Sequence, residues 1–494
     1  MKTINKLSLS VLLAIIFFFA GCADKSTLTD PSTATVATGT ANFSRFVSIG
    51  NSITSGYQSS SLYQDGQMYS FPNQIAGQVK TSYVQPLVAN PGIGGRIDIQ
   101  SLNLSTGSVV LYTNPANGGA PLNSNYAAPF NNLGVPGAVL GDVIHTTDFV
   151  AQAAAPRNNP FFQVVLRSSA LGTSIFEQAK VLQPTFLTLW IGNNDVLGYA
   201  TSGGTSPSAP TTVTQFTALY GELVGSIKAS LPTTKVAVGN IPSVTSIPFF
   251  TTVGPMVGMA LKAELAGVLP ASALLTTPVF VYQKHEGGTG VGVASINDLL
   301  SGSVLLTLVG SNYAPLIGTS TGQFWRDHGV TNPAGIGIDT TKPFGLSATN
   351  PFPDALVLDP AEITNAVNAV AGFNSAISNL VSSEANFALV DVNALLNSLR
   401  SNDYGSGTVY DGITFKTSFI TGGMFSLDGV HPSNQGHAIL ANAFIASINA
   451  KFGAAIPKIN VASLPSSLHF HKTLPMSSIG LPVFPVGTFD NLLF

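Results

Sequence analysis

The stretch "FVSIGNSITSGYQ", Phe46–Gln58, governs the reading of the whole chain. Phe46, Val47, Ser48 and Ile49 have the character of a buried strand, and they run into Gly50-Asn51-Ser52, with Gly56 four residues after the serine. A serine that follows glycine at a strand end is ordinarily the cap of the next helix. It also stands where a parallel sheet collects its ligand chemistry, at the carboxyl ends of the strands. Which role Ser52 takes depends on what stands at the other strand ends.

Four further runs read as strands: "NNLGV" at 131–135, "TFLTLWIG" at 185–192, "KVAVGN" at 235–240 and "FALVDV" at 387–392. Most end on Gly, Asn or Asp. Helices are predicted over 72–79, 212–230, 360–383 and 432–450, the last with Pro432 at its start and Asn434 as the expected cap. Near-continuous apolar strands alternating with helices predict an α/β fold, a mostly parallel sheet covered on both faces. Two stretches break the alternation. Residues 81–130 are rich in Gly, Asn and Pro, and residues 251–350 mix apolar segments with Gly-rich loops; the second is expected to be a lid, a substrate wall or a structural appendage.

The chain has 494 residues, 45% of them hydrophobic and only 9% charged, with 49 Gly and 31 Pro, so its surface must be covered largely by Ser, Thr, Asn, Gln and Gly. A net charge of −3 and the lack of any Lys/Arg run offer no field for a polyanion, which argues against nucleic acid as a partner.

At the amino terminus, Lys2 and Lys6 precede an apolar run from Leu9 to Phe19, then Ala20, Gly21 and Cys22. The run is short for a bilayer span and has the proportions of an export signal over residues 1–21. Its ending, "FFAGC", resembles the lipobox of bacterial lipoproteins, which implies lipidation of Cys22 and anchoring to the cell envelope, at the outer membrane or cell surface. No other cysteine exists, so disulfides within the chain and multi-cysteine metal sites are excluded. Residues 22–44 read as a flexible tether, 45–455 as the folded domain carrying the 251–350 insertion, and 456–494 as a tail.

The strand ends now decide the matter. The first carries Gly50-Asn51-Ser52, the second "NLGVPGA" with Gly137, the third "WIGNNDVLG" with Asn194, and before the last helix comes "SLDGVHPSNQGH" with Asp428 and His431. Taken in order, these blocks resemble the SGNH or GDSL hydrolases, over residues 46 to about 450; the insertion and the tail lie outside the likeness. The resemblance implies a flavodoxin-like three-layer α/β/α sandwich and a serine ester hydrolase that works through an acyl-enzyme without cofactor or metal. Ser52 would be the nucleophile, His431 its base and Asp428 the acceptor that fixes the imidazole tautomer. The N–H groups of Ser52 and Gly137 and the Asn194 amide would form the oxyanion hole. The expected partner is a small-molecule or glycan-linked ester. A surface binding protein that has kept the fold and lost the chemistry, and an acyltransferase using the same triad, are the alternatives.

One position departs from the family pattern: Asn51 stands where the family usually has Asp, keeping an acceptor oxygen and losing the charge. Among the other histidines, His437 is expected on a helix surface, and His145, His285 and His328 show no partner pattern. His469 and His471 would share one side of a strand but lack a third metal ligand nearby. Trp190 and Trp325 read as packing, Trp325 with the alternative of lining a sugar or acyl site.

Overall fold

A computed structural model describes residues 36–103, 108–205, 209–285 and 290–471. Five strands form the central sheet: β1 (Phe46–Gly50), β2 (Asn132–Gly134), β3 (Phe186–Trp190), β4 (Lys235–Gly239) and β5 (Phe387–Val390). They lie in the order β5-β4-β3-β1-β2, every pair parallel, with Ser48 opposite both Asn132 and Thr188. All five predicted strands are present. Every residue of β1 and β3 is buried, as a sheet covered on both faces requires. The arrangement is α/β, with a parallel sheet and helical layers consistent with a three-layer sandwich.

The order places the active end of the sheet. The chain leaves β1 to one side to make β2, then crosses back to the other side to make β3. The carboxyl end of β1, flanked by those of β2 and β3, is therefore the topological switch point, where an open α/β sheet offers a crevice.

Helices α1 (Ser52–Ser55), α2 (Phe71–Gln78), α3 (Asn194–Thr201), α4 (Val213–Ser230), α5 (Pro360–Val381) and α6 (Asn434–Phe452) complete the frame. Aromatic rings tie them together: Phe71 of α2 meets Trp190 of β3 at 5.5 Å and Phe444 of α6 at 4.7 Å, while Phe216 of α4 stacks on Phe373 of α5 at 3.9 Å. Burial of each ring is worth roughly 1.5–3 kcal/mol. Both long helices α4 and α5 begin with capping boxes, at Thr212–Gln215 and Asp359–Glu362. The cap of α6 is Ser433, whose hydroxyl accepts from the Gly436 N–H; Asn434, expected to cap, is the first helical residue instead.

Three boundaries move. The expected tether ends sooner, because Thr40 donates its backbone N–H to Phe452 and Phe43 is buried, stacked 4.1 Å from Phe186. The expected tail begins as part of the body. Asn449 and Asn442 side chains hold the backbones of Ile456 and Ile459, and residues 469–471 pair with Ile99. The excursion over 81–130 contains a hairpin, Ile97–Asn103 with Ser108–Thr113, and Phe470 bridges to its Ile99 in parallel. The insertion holds a helix (Val253–Leu265), a hairpin (Pro278–Lys284 with Gly290–Ser295) and a second short helix (Ile296–Ser301). The export signal, Cys22, most of the tether and residues 472–494 lie outside the described residues.

Candidate active site

Gly50 ends β1 where no side chain fits, since a Cβ would lie 2.0 Å from Thr54 Oγ1 and 2.6 Å from Trp190 O. Asn51 then caps α1: its Oδ1 accepts the Ile53 N–H at 3.3 Å. This answers the question raised by the sequence. The neighbour does the capping, and the Ser52 hydroxyl is left to face His431, with Oγ 2.9 Å from Nε2. As a cap, Asn51 needs only its oxygen, so the missing carboxylate costs the local backbone nothing.

Nδ1 of the same imidazole lies 2.9 Å from Asp428 Oδ2. Asp428, Gly429, Val430 and His431 form one tight turn. Asp428 Oδ1 accepts from the backbone N–H groups of Val430 and His431, both at 2.9 Å, and from Ser426 Oγ at 3.1 Å. Oδ2 also accepts the Ser60 N–H at 2.9 Å. Burial alone would raise the Asp428 pKa, but the His431 charge and these hydrogen bonds outweigh it and hold the carboxyl below its usual range. Gly429 adopts φ +71°, and a Cβ there would approach Leu308 Cδ2 and Phe249 N at 3.1 Å.

The contact with Ser60 comes from the "SSS" run at 59–61, which sequence reasoning passed over. Ser59 and Ser60 both have left-handed backbones, φ 49° and 62°. Ser59 N–H donates to Ser426 Oγ, and Ser59 Oγ accepts the Leu427 N–H. The run thus wraps the Asp428 turn from outside. Tyr57 completes the enclosure, its ring 4.9 Å from that of His431. Burial, with a smaller push from the Asp428 charge, keeps the Tyr57 hydroxyl protonated far above neutral pH, so it is no rival base.

The candidate oxyanion donors sit at the ends of β2 and β3. Val135 N–H donates to Gly50 O, which starts the chain after β2 beside the end of β1. Two residues on, Gly137 takes φ +76°, a backbone conformation that favours glycine. Asn194, first residue of α3, donates its amide to Ala138 O at 2.9 Å, which leaves its second N–H. Asp195, beside it, accepts the Leu140 N–H at 2.8 Å and the Thr211 hydroxyl at 3.0 Å. Burial, with Asp142 nearby, pushes the Asp195 pKa up to about 6, although its hydrogen bonds pull the other way. Two consecutive residues of α3 therefore grip the loop that carries Gly137.

Ser52, Asp428 and His431 are 3%, 0% and 1% exposed. The insertion borders them: Leu308 packs at Gly429, and Phe249, just before the insertion, donates its N–H to Gly429 O at 3.0 Å.

The other histidines fall elsewhere. His437 is fully buried, not on a helix surface, and burial with the His431 charge beside it lowers its pKa to about 3. It is neutral, and neither ring nitrogen has a hydrogen-bond partner among the described residues. His145 pairs with Glu222 at 2.9 Å, His285 lies 3.7 Å from Asp354, and His328 Nδ1 meets Phe324 O at 2.8 Å. His469 packs edge-on to Tyr63 and His471 stacks on Tyr112, so the two rings serve separate contacts. Trp190 is buried with its N–H on Asn240 O, and Trp325 is buried against Phe324. No protein-family profile, curated protein or solved structure matches the chain.

Proposed function

We propose that the chain is a serine ester hydrolase with the fold and mechanism of the SGNH group. The observation that carries this reading is the pair of 2.9 Å contacts running from Ser52 Oγ through His431 to Asp428, which unites a nucleophile, a base and an orienting carboxylate. In the proposed reaction, Ser52 Oγ attacks the acyl carbonyl as His431 Nε2 takes its proton. Asp428 holds the Nδ1 proton and stabilises the imidazolium. Negative charge on the former carbonyl oxygen is met by the N–H groups of Ser52 and Gly137 and the free N–H of Asn194. His431 then protonates the leaving alcohol, and the acyl-enzyme is released by a water that the same base activates.

The substrate is an acyl or acetyl ester, and the lipobox-like ending at Cys22 supports an exported, lipid-anchored enzyme of the bacterial envelope. The test is turnover of a short-chain aryl ester together with labelling by a fluorophosphonate. The wild-type chain is expected to do both and Ser52→Ala neither, with rates taken per folded protein. A Ser52→Ala variant that still cleaves the ester refutes the assignment.

A further inference from the structure

A peptide unit has two ends, and the one that supplies the Gly137 N–H carries the Pro136 carbonyl at the other. The Asn159 side-chain amide donates to that carbonyl at 2.8 Å. Asn159 is 1% exposed and fixed on every side: its Oδ1 accepts the Phe161 N–H at 3.0 Å, which aims Nδ2 at Pro136, and its own N–H donates to Gln152 O at 2.7 Å. The next peptide is held in the same manner, because Gly137 O accepts from Arg157 at 3.1 Å, and that guanidinium is paired with Asp142.

These contacts matter because of where they act. Gly137 is free to adopt many backbone conformations, so nothing in its own chemistry fixes the direction of its N–H. The peptide unit is planar, so fixing the oxygen end fixes the direction of the N–H end. A hydrogen bond accepted at the carbonyl also polarises the unit and strengthens the N–H as a donor. We propose that Asn159 is a positioning residue for the reaction, holding the Pro136–Gly137 peptide so that its N–H faces the developing oxyanion. This rests on the reading of Gly137 as an oxyanion donor. The bland alternative is that Asn159 only closes the turn into the helix Phe161–Leu166 through its Oδ1.

The two roles use different atoms of one side chain, so two substitutions separate them. Asn159→Ala removes both; Asn159→Asp keeps an acceptor for Phe161 and, once ionised, loses the donor to Pro136, and because burial raises such a carboxyl it is assayed at the alkaline end of a pH series. Both variants are expected to lower kcat about 10- to 100-fold, somewhat less than outright loss of an oxyanion donor, with KM changed less than about threefold. Affinity for an aryl boronic acid, whose tetrahedral adduct on serine places an oxygen in the hole, should fall in parallel. Rates are expressed per folded enzyme, because a carboxylate buried against the Pro136 carbonyl lowers the melting temperature of Asn159→Asp. Wild-type kcat per folded enzyme in Asn159→Ala, or a loss in Asn159→Ala that Asn159→Asp fully restores, overturns the proposal while leaving the hydrolase reading intact. A wild-type chain inert to both ester and fluorophosphonate overturns the two together.

Discussion

Replacing Asp428 by asparagine tests the proposed relay with the least change in shape. The carboxylate accepts five hydrogen bonds, three on Oδ1 and two on Oδ2, and donates none. An amide has only one oxygen, and it does best facing the three donors. The NH₂ group then points at His431 Nδ1 and at the Ser60 N–H. To avoid two donors meeting, the imidazole must shift its proton to Nε2, the nitrogen that has to accept the proton of Ser52. The base is thereby occupied before the reaction starts. In serine proteases this tautomer error costs about 10⁴ in kcat, which corresponds to about 5.5 kcal/mol of barrier. The second consequence is on stability: the Ser60 N–H loses its acceptor in a buried place, a cost of about 1–3 kcal/mol. The assay is ester hydrolysis at saturating substrate, normalised to folded protein, with urea unfolding alongside. Retention of kcat within tenfold of wild type would refute the assigned role of Asp428.

Three other outcomes are expected. Asn194→Ala should lower kcat about 10²–10³-fold through loss of its free N–H, read as the rate per labelled serine in the wild type against folded protein in the variant; an unchanged rate removes it from the hole. The Asp195 carboxyl titrates at about 6 in the folded chain, above its unfolded value, so it favours folding below about pH 4 and that contribution is lost as pH rises through 6. Asp195→Asn, whose oxygen can take Leu140 N–H and whose NH₂ can meet Thr211, should flatten that fall of up to about 3 kcal/mol; urea midpoints from pH 4 to 7 with the wild-type slope would contradict it. Gly429→Ala should cost about 1–2 kcal/mol for the left-handed backbone, plus the push against Phe249 and Leu308, and should depress kcat because the Asp428–His431 turn shifts; a variant neutral in both melting temperature and kcat would show the turn to be pliant.

Much of the frame was legible in the sequence because the signals are local. Five apolar runs, most of them ending in Gly, Asn or Asp, gave five parallel strands, and the residues that follow the first three fall at the sheet's switch point. Asp428 and His431 were readable because one short turn holds both. What escaped depends on contacts distant in the chain. Ser60 became an anchor for Asp428 through a left-handed kink that no residue preference suggests, since serine seldom takes that conformation. His437 reads as a surface residue on any helix with a polar side, but the first half of α6 is buried nearly all round, so the polar residue goes inside with it. The cap of the last helix falls one residue earlier than expected, at Ser433 and not Asn434, because both are good caps and only the backbone angles choose.

The bridge that residues 469–471 make to the hairpin has a reach beyond its size. Ile99 donates its N–H to His469 O and accepts the His471 N–H, Ile97 donates to Ser59 O, and Ser59 and Ser60 cradle the Asp428 turn. Three short steps thus lead from residues 469–471 to Asp428, the carboxylate of the proposed relay. A truncation before residue 469 removes both partners of the Ile99 backbone and so acts on the same chain of contacts that ends at the Asp428 turn.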